Sequence, residues 1–262
     1  MIRTDLSNEE YHAHHAISSS DVKAAAKSLA HWKGAVRTES PALTIGTAFH
    51  ELVLEPQEKR VMAGPETRRG NAWKEAATEA QAQGKVLLTT SEYNMVNAMA
   101  ESCMRHPKIA ALVRADDAKI EHSMFVTCPE TGLELRCRPD LYVPSKQVCL
   151  DLKSTTDAGP SSKEFEKHVW SFKYDLQAAF YKYCCELAGW PVTYFAFAAV
   201  EKTPPYAVGL HVLSREVMEY AHGKMMKVLR RIKQAQDEGV YPTDWPEMNM
   251  IHLPEWMKLL EE

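Results

Sequence analysis

Residues 133–153 read LELRCRPDLYVPSKQVCLDLK, two apolar runs joined by the short turn Pro144-Ser145-Lys146. A turn this short makes the two runs antiparallel neighbours in one sheet. Asp140 and Asp151 can then lie side by side on adjacent strands. Asp151 and Lys153 are two apart and share a face of the second strand, while Leu150 and Leu152 face the other way, into a core. Two carboxylates and one ammonium are aimed at one spot. Taken alone, an Asp-x-Lys in a strand is more often an ordinary surface pair. Here the surrounding run, VCLDL, is apolar, and a charge in such a setting tends to be paired or to bind a metal. Carboxylate oxygens are the natural ligands of Mg²⁺.

The rest of the chain frames this hairpin. Residues 18–33 predict a helix with a serine N-cap and Gly34 near its end. Residues 44–54 carry apolar side chains at helical spacing, stopped by Pro56. Residues 57–89 are polar and read as partly helical. A further helix runs from about Ser91 to Arg105 and ends at Pro107. Strands follow at 120–127, 133–143 and 147–153, a helix at 174–188, strands at 193–201 and 206–213, and a long helix at 214–236. The tail, 240–262, is proline-containing and reads as irregular. This order predicts an α/β fold, a mixed central sheet flanked by helices. It is expected to form a single domain over 1–262, with a helical N-terminal part to about 115, a catalytic core over about 116–240, and the tail.

Composition excludes several classes. Hydrophobic residues make up 45% and charged residues 25%, an ordinary balance for a globular protein. No apolar run approaches the ~20 residues that span a bilayer, so no membrane association is expected. The N-terminus MIRTDLSNEEYHAHH is not a signal peptide, so the expectation is cytoplasmic. The six cysteines include no CxxC pair; they read as reduced and buried, and structural zinc is not expected. The net charge of −4 weighs against a nucleic-acid partner. Acidic metal ligands contribute to that total, however, and basic clusters exist at Lys23, Lys27 and Lys33, at Arg68, Arg69 and Lys74, and at Lys224, Lys227, Arg230, Arg231 and Lys233. Each cluster by itself fits a solvated face.

Further candidates accompany the hairpin. His50 stands in GTAFHE on an otherwise apolar helix. Gln177 and Tyr181 are four apart and share a helix face. Glu121 opens the first strand. Each taken singly has a structural explanation: a satisfied core histidine, a packing pair, a strand-end charge.

Together these residues resemble the PD-(D/E)xK nuclease superfamily: Pro139-Asp140, then Asp151-x-Lys153, then Gln177-x-x-x-Tyr181, with His50 upstream. The order is similar to the RecB-like branch. More closely it resembles the C-terminal nuclease domain of RecE (exonuclease VIII), through Ile17, Ser18 and Ser20, GTAFH, a PETG turn, CRPD, D-x-K-S-T and Gln177-x-Ala-Phe-Tyr181, over about residues 11–258. The resemblance implies a restriction-endonuclease-like core and a processive 5′→3′ exonuclease on double-stranded DNA ends that leaves 3′ single-stranded tails for recombination. It implies Mg²⁺, with Mn²⁺ as the alternative, held by His50, Asp140, Asp151 and the Leu152 backbone carbonyl. Lys153 would be the catalytic lysine and Glu121 a residue near the metal, holding water. Gln177 and Tyr181 would support the site and touch DNA. Ser18, Ser20, Arg68 and Arg69 are the candidate phosphate contacts. A ring-shaped homotetramer and a RecT-like single-strand annealing partner are implied as well. The chain lacks the large N-terminal extension of the longest RecE proteins, so a stand-alone nuclease is expected, and it lacks the cysteine set of the iron–sulfur relatives.

Competing readings are a structure-specific or restriction-like endonuclease on the same core, and a DNA-binding or scaffold protein without catalysis. A small-molecule hydrolase is disfavoured by the absence of Gly-x-Ser-x-Gly and of a phosphate-cradling glycine loop.

Overall fold

A computed structural model of the chain describes residues 1–36 and 41–253. In chain order the elements are β1 (Ile2–Arg3), α1 (Asn8–Ala13), α2 (Ser19–Ala25), α3 (Leu29–Lys33), α4 (Pro41–Leu54), β2 (Val61–Gly64), α5 (Asn71–Ala82), β3 (Val86–Thr89), α6 (Thr90–Arg105), α7 (Pro107–Val113), β4 (Lys119–Ile120), β5 (Ser123–Thr127), β6 (Glu134–Cys137), β7 (Leu141–Val143), β8 (Val148–Thr155), α8 (Glu164–Ser171), α9 (Tyr174–Leu187), β9 (Tyr194–Glu201), β10 (Val208–Val212) and α10 (Arg215–Glu238).

The central sheet has the order β10-β9-β8-β7-β4, with β8 and β9 parallel and the remaining neighbours antiparallel. It is the mixed sheet expected. The parallel pair is joined by α8 and α9, the helical crossover that two parallel neighbours require. Alternation along β8 and β9 divides the core in two. Cys149, Phe195, Phe197 and Ala199 pack towards α2, α9 and α10. Leu150, Leu152, Ala196, Ala198 and Val200 pack towards α4 and α6. Both faces of β8 are covered by helices, which explains the apolar residues Val148, Cys149, Leu150 and Leu152 around Asp151.

Several expected boundaries moved. The helix expected over 18–33 is two helices, because each has its own serine cap: Ser18 forms a capping box with Asp21, and the Ser28 hydroxyl accepts from the His31 N–H. Pro107 does not merely end α6; it sits at the first position of α7, where its missing N–H costs nothing. The polar stretch 57–89 holds α5 but also β2 and β3, a parallel two-stranded sheet. The strands expected over 120–127 and 133–143 each break in the middle. Their outer parts, β5 and β6, join β1 in a separate three-stranded sheet, while β4 and β7 enter the central sheet. The breaks fall at Glu121-His122 and at Arg138-Pro139-Asp140.

The six cysteines are all buried and free. Residues 240–253 contain no helix or strand, and the Ala30 N–H donates to the Pro242 carbonyl; the tail beyond residue 253 lies outside the described residues. No described helix is long and apolar enough to cross a membrane.

Candidate metal centre

Strand β7 begins at Leu141, opposite Leu150, so β8 runs on past Asp151 with its β7-side edge unpaired. Polar groups on that edge need other partners. The Leu152 N–H donates to Asp140 Oδ2 at 2.7 Å, and the Leu152 carbonyl lies 3.1 Å from His50 Nε2. His50 comes from α4; its Nδ1 is 3.4 Å from Asp140 Oδ2. Glu121 stands just after β4, where its N–H donates to the Asp140 carbonyl at 3.2 Å. Its φ of 51° is left-handed, an unfavourable conformation for a non-glycine residue. The two strand breaks therefore have one result: they turn Glu121 and Asp140 towards His50.

Ligand atoms of His50, Glu121 and Asp140 all lie within 4.8 Å of one another. Asp140 is 7% exposed. Burial pushes its carboxyl up to about 6; His50 opposes the rise and Asp151 adds to it. Glu121 is also raised, first by burial and then by the Asp140 charge, with Arg138 opposing. Two acids crowded together in a buried site are costly without a cation. A donor set of two carboxylates and one imidazole fits a divalent metal; the oxygens suit Mg²⁺ and the imidazole also suits Mn²⁺. The group opens on a polar cavity of about 660 Å³ lined by Glu51, Glu55, Arg60 and Arg138 among others.

Asp151 stands next to this group but outside it. It is 1% exposed. Its Oδ1 accepts from Gln177 Nε2 at 2.6 Å. Its Oδ2 is ion-paired with Lys153 Nζ, yet no donor is aligned to hydrogen-bond it. Burial lowers the Lys153 ammonium's pKa, but the Asp151 and Asp140 carboxylates outweigh that and hold it above the usual lysine value. The lysine is therefore charged at neutral pH. Its ammonium sits 4.8 Å from the centre of the Tyr174 ring. Tyr181, one helical turn after Gln177, is half-buried; burial, then its neighbours Tyr11, Asp151 and Asp140, keep its hydroxyl protonated.

The structure thus gathers His50, Glu121, Asp140, Asp151, Leu152, Lys153, Gln177 and Tyr181 into one region. The other candidates are placed differently. The Ser18 hydroxyl is engaged in the α2 capping box, and Ser20 is exposed in the same first turn. Arg68 is ion-paired with Glu92 at 2.8 Å and lies over the Trp73 ring. Arg69 is exposed beside it, in the loop between β2 and α5. Among the described residues, no hydrogen bond or ion pair ties these two arginines to the centre.

Sequence reasoning missed Lys23 and Tyr174 as members of the site. Lys23 Nζ donates to Gln177 Oε1 at 2.7 Å, which leaves the Gln177 amide N–H₂ to face Asp151. Burial, with repulsion from Lys153, lowers Lys23 to about 7. Lys23 belonged to a basic cluster in the sequence, but nothing there indicates that it points inward. Arg138, adjacent to Pro139-Asp140, was also missed. It donates to Ser123 Oγ and to the Leu6 carbonyl and lies over the Tyr11 ring, with no carboxylate partner among the described residues.

Comparison with known proteins bears on the fold and the family. Over 98% of both chains, the fold matches a candidate exonuclease from Eubacterium rectale, with a TM-score of 0.62 and 13% identity. A phage-related exonuclease from Haemophilus somnus 129PT superimposes more loosely, with a TM-score of 0.40 and 13% identity over 87% of this chain and 97% of that one. At such identity the likeness speaks to the fold alone. No curated protein is significantly similar in sequence. Residues 14–253 match the family model described as a PDDEXK-like domain of unknown function (DUF3799). Because that match covers nearly all of the chain, this protein belongs to the PDDEXK-like DUF3799 family.

Proposed function

We propose that this protein is a divalent-metal-dependent exonuclease acting on the ends of double-stranded DNA. The observation that carries the reading is the convergence of His50, Glu121 and Asp140 within 4.8 Å, beside the buried Asp151–Lys153 pair. His50, Glu121 and Asp140 would hold the cation, with Asp151 and the Leu152 carbonyl adjoining. Such a cation supplies an activated water and charge that neutralises a phosphodiester in its transition state. Lys153, kept protonated by its two carboxylate neighbours, is placed to stabilise negative charge developing on the phosphate. Gln177 and Lys23 hold Asp151 in orientation, and Tyr181 closes the site from α9.

The RecE resemblance supports the finer features: Mg²⁺ as the physiological ion, processive 5′→3′ digestion leaving 3′ tails, a ring-shaped tetramer, and cooperation with a RecT-like annealing protein. Of the candidate phosphate contacts, Ser20 and Arg69 are exposed, whereas Ser18 and Arg68 are already engaged; the exposed pair are the ones to substitute.

The test is nucleotide release from linear duplex labelled at the 5′ or the 3′ end, with Mg²⁺, with Mn²⁺ and with chelator. Metal-dependent early release of the 5′ label is expected, with covalently closed circular duplex left intact. Cutting of the circle would instead establish the endonuclease reading, and no release in any metal would remove catalysis altogether.

A further inference from the structure

The segment leading into α9 reads His168-Val-Trp170-Ser-Phe172-Lys-Tyr174, and the proposed chemistry uses little of it. Its rings form a continuous path to the catalytic lysine. Phe172 stands 5.1 Å from His168 and 5.7 Å from Tyr174, tilted by 44° and 42°. Tyr174 in turn lies beneath two ammonium groups, Lys153 at 4.8 Å and Lys23 at 5.3 Å from its ring centre. Between Phe172 and Tyr174 in the sequence stands Lys173, the residue that precedes α9, with a left-handed φ of 54°. Its charge reaches Lys23, and among the described residues it makes no ion pair.

Phe172 is 54% exposed. Packing does not account for this, since the same helix buries Phe165 and Val169 into the core. Leaving a phenyl ring in water forfeits the gain from its burial, about 25 cal/mol per Å². Phe172 is thus a ring presented to solvent next to Tyr174, whose own ring carries the Lys153 and Lys23 ammonium groups.

We propose that Phe172, backed by Tyr174, is a stacking platform for an unpaired base of the nucleic-acid strand entering the site, with the flanking phosphates facing Lys23 and Lys173. This rests on the nuclease reading above. Charge selects this occupant over an apolar protein segment: such a segment would desolvate Lys23 and Lys173 without supplying anions, whereas a single strand offers a π face with an anion on either side. Stacking also offsets part of the cost of opening the terminal base pair.

The test measures binding of short single-stranded oligonucleotides carrying phosphorothioate linkages, in calcium, to wild type, Phe172→Ala and Phe172→Trp. One oligonucleotide bears all its bases and the other is abasic at its terminal positions. Phe172→Ala is expected to weaken binding of the first by about tenfold to a hundredfold, to change binding of the abasic strand less than about twofold, and to leave the salt dependence unchanged. Phe172→Trp should bind like wild type. Equal losses on both strands, or none on either, overturn the platform while leaving the nuclease reading intact. Failure of wild type to bind either strand overturns the platform, while the nuclease reading stands or falls on nucleotide release from linear duplex. Thermal melting of Phe172→Ala within about 2 °C of wild type, as expected for an exposed side chain, shows that a loss of binding is not a loss of fold.

Discussion

Asp140→Asn should stabilise the metal-free protein while abolishing its response to metal. Asp140 is buried, and its carboxyl is pushed up from 3.8 to about 6. A shift of about two units, at about 1.4 kcal/mol per unit, means that ionised Asp140 costs the metal-free fold about 3 kcal/mol. The sign follows from linkage. A carboxyl raised in the folded state contributes stability that is fully present below its unfolded value, and that contribution is lost as pH rises through about 6. Asparagine carries no charge and can still accept the Leu152 N–H through its amide oxygen; it gives up the attractions to His50 at 3.4 Å and to Lys153. Urea denaturation in EDTA across pH 4 to 8 measures the outcome. The two proteins should be close near pH 4, and the variant should be more stable by about 2–3 kcal/mol at pH 7.5. Mn²⁺ should then raise the stability of wild type and leave the variant unmoved. A variant less stable than wild type at pH 7.5, by a margin independent of pH, would refute the reasoning.

Other substitutions separate holding the metal from chemistry and from folding. Lys153→Met should keep its metal-induced thermal shift and lose turnover by about a hundredfold to a thousandfold, the usual effect of removing one transition-state donor; loss of the thermal shift as well would assign the lysine a different role. Lys23→Met should lower kcat, because Lys23 sets the Gln177 amide that faces Asp151; an unchanged kcat with a raised KM would confine Lys23 to phosphate contact. Gly209→Ala should destabilise by about 1–3 kcal/mol, since a Cβ in β10 would fall on the Ala158 carbonyl and the His211 ring nitrogen; urea denaturation shows whether the backbone there can give way.

The hairpin of β7 and β8 was readable in the sequence because period-two alternation fixes which side chains share a face. Asp151 and Lys153 face one side and Leu150 and Leu152 the other, as the residues alone required. The strand breaks at Glu121 and Arg138-Pro139-Asp140 were not readable. Each interrupts an otherwise good strand pattern, and only the competition between two sheets reveals that the chain changes partners there. The family resemblance implied Glu121 near the metal and Asp151 among its ligands; in the structure a Glu121 oxygen converges with ligand atoms of His50 and Asp140, and the Asp151 oxygens face Gln177 and Lys153. Lys23 and Tyr174 escaped for a related reason: burial of a lysine and the facing of a helix start are set by how α2 meets α9, and no local pattern encodes that docking.

In the proposed site His50, Glu121 and Asp140 hold a divalent cation beside Asp151 and Lys153. Anomalous diffraction from a crystal soaked in Mn²⁺ tests it directly. A single strong peak within about 2.0–2.3 Å of ligand atoms from His50, Glu121 and Asp140 is expected. A peak elsewhere in the molecule, or an empty centre at saturating Mn²⁺, would contradict the account.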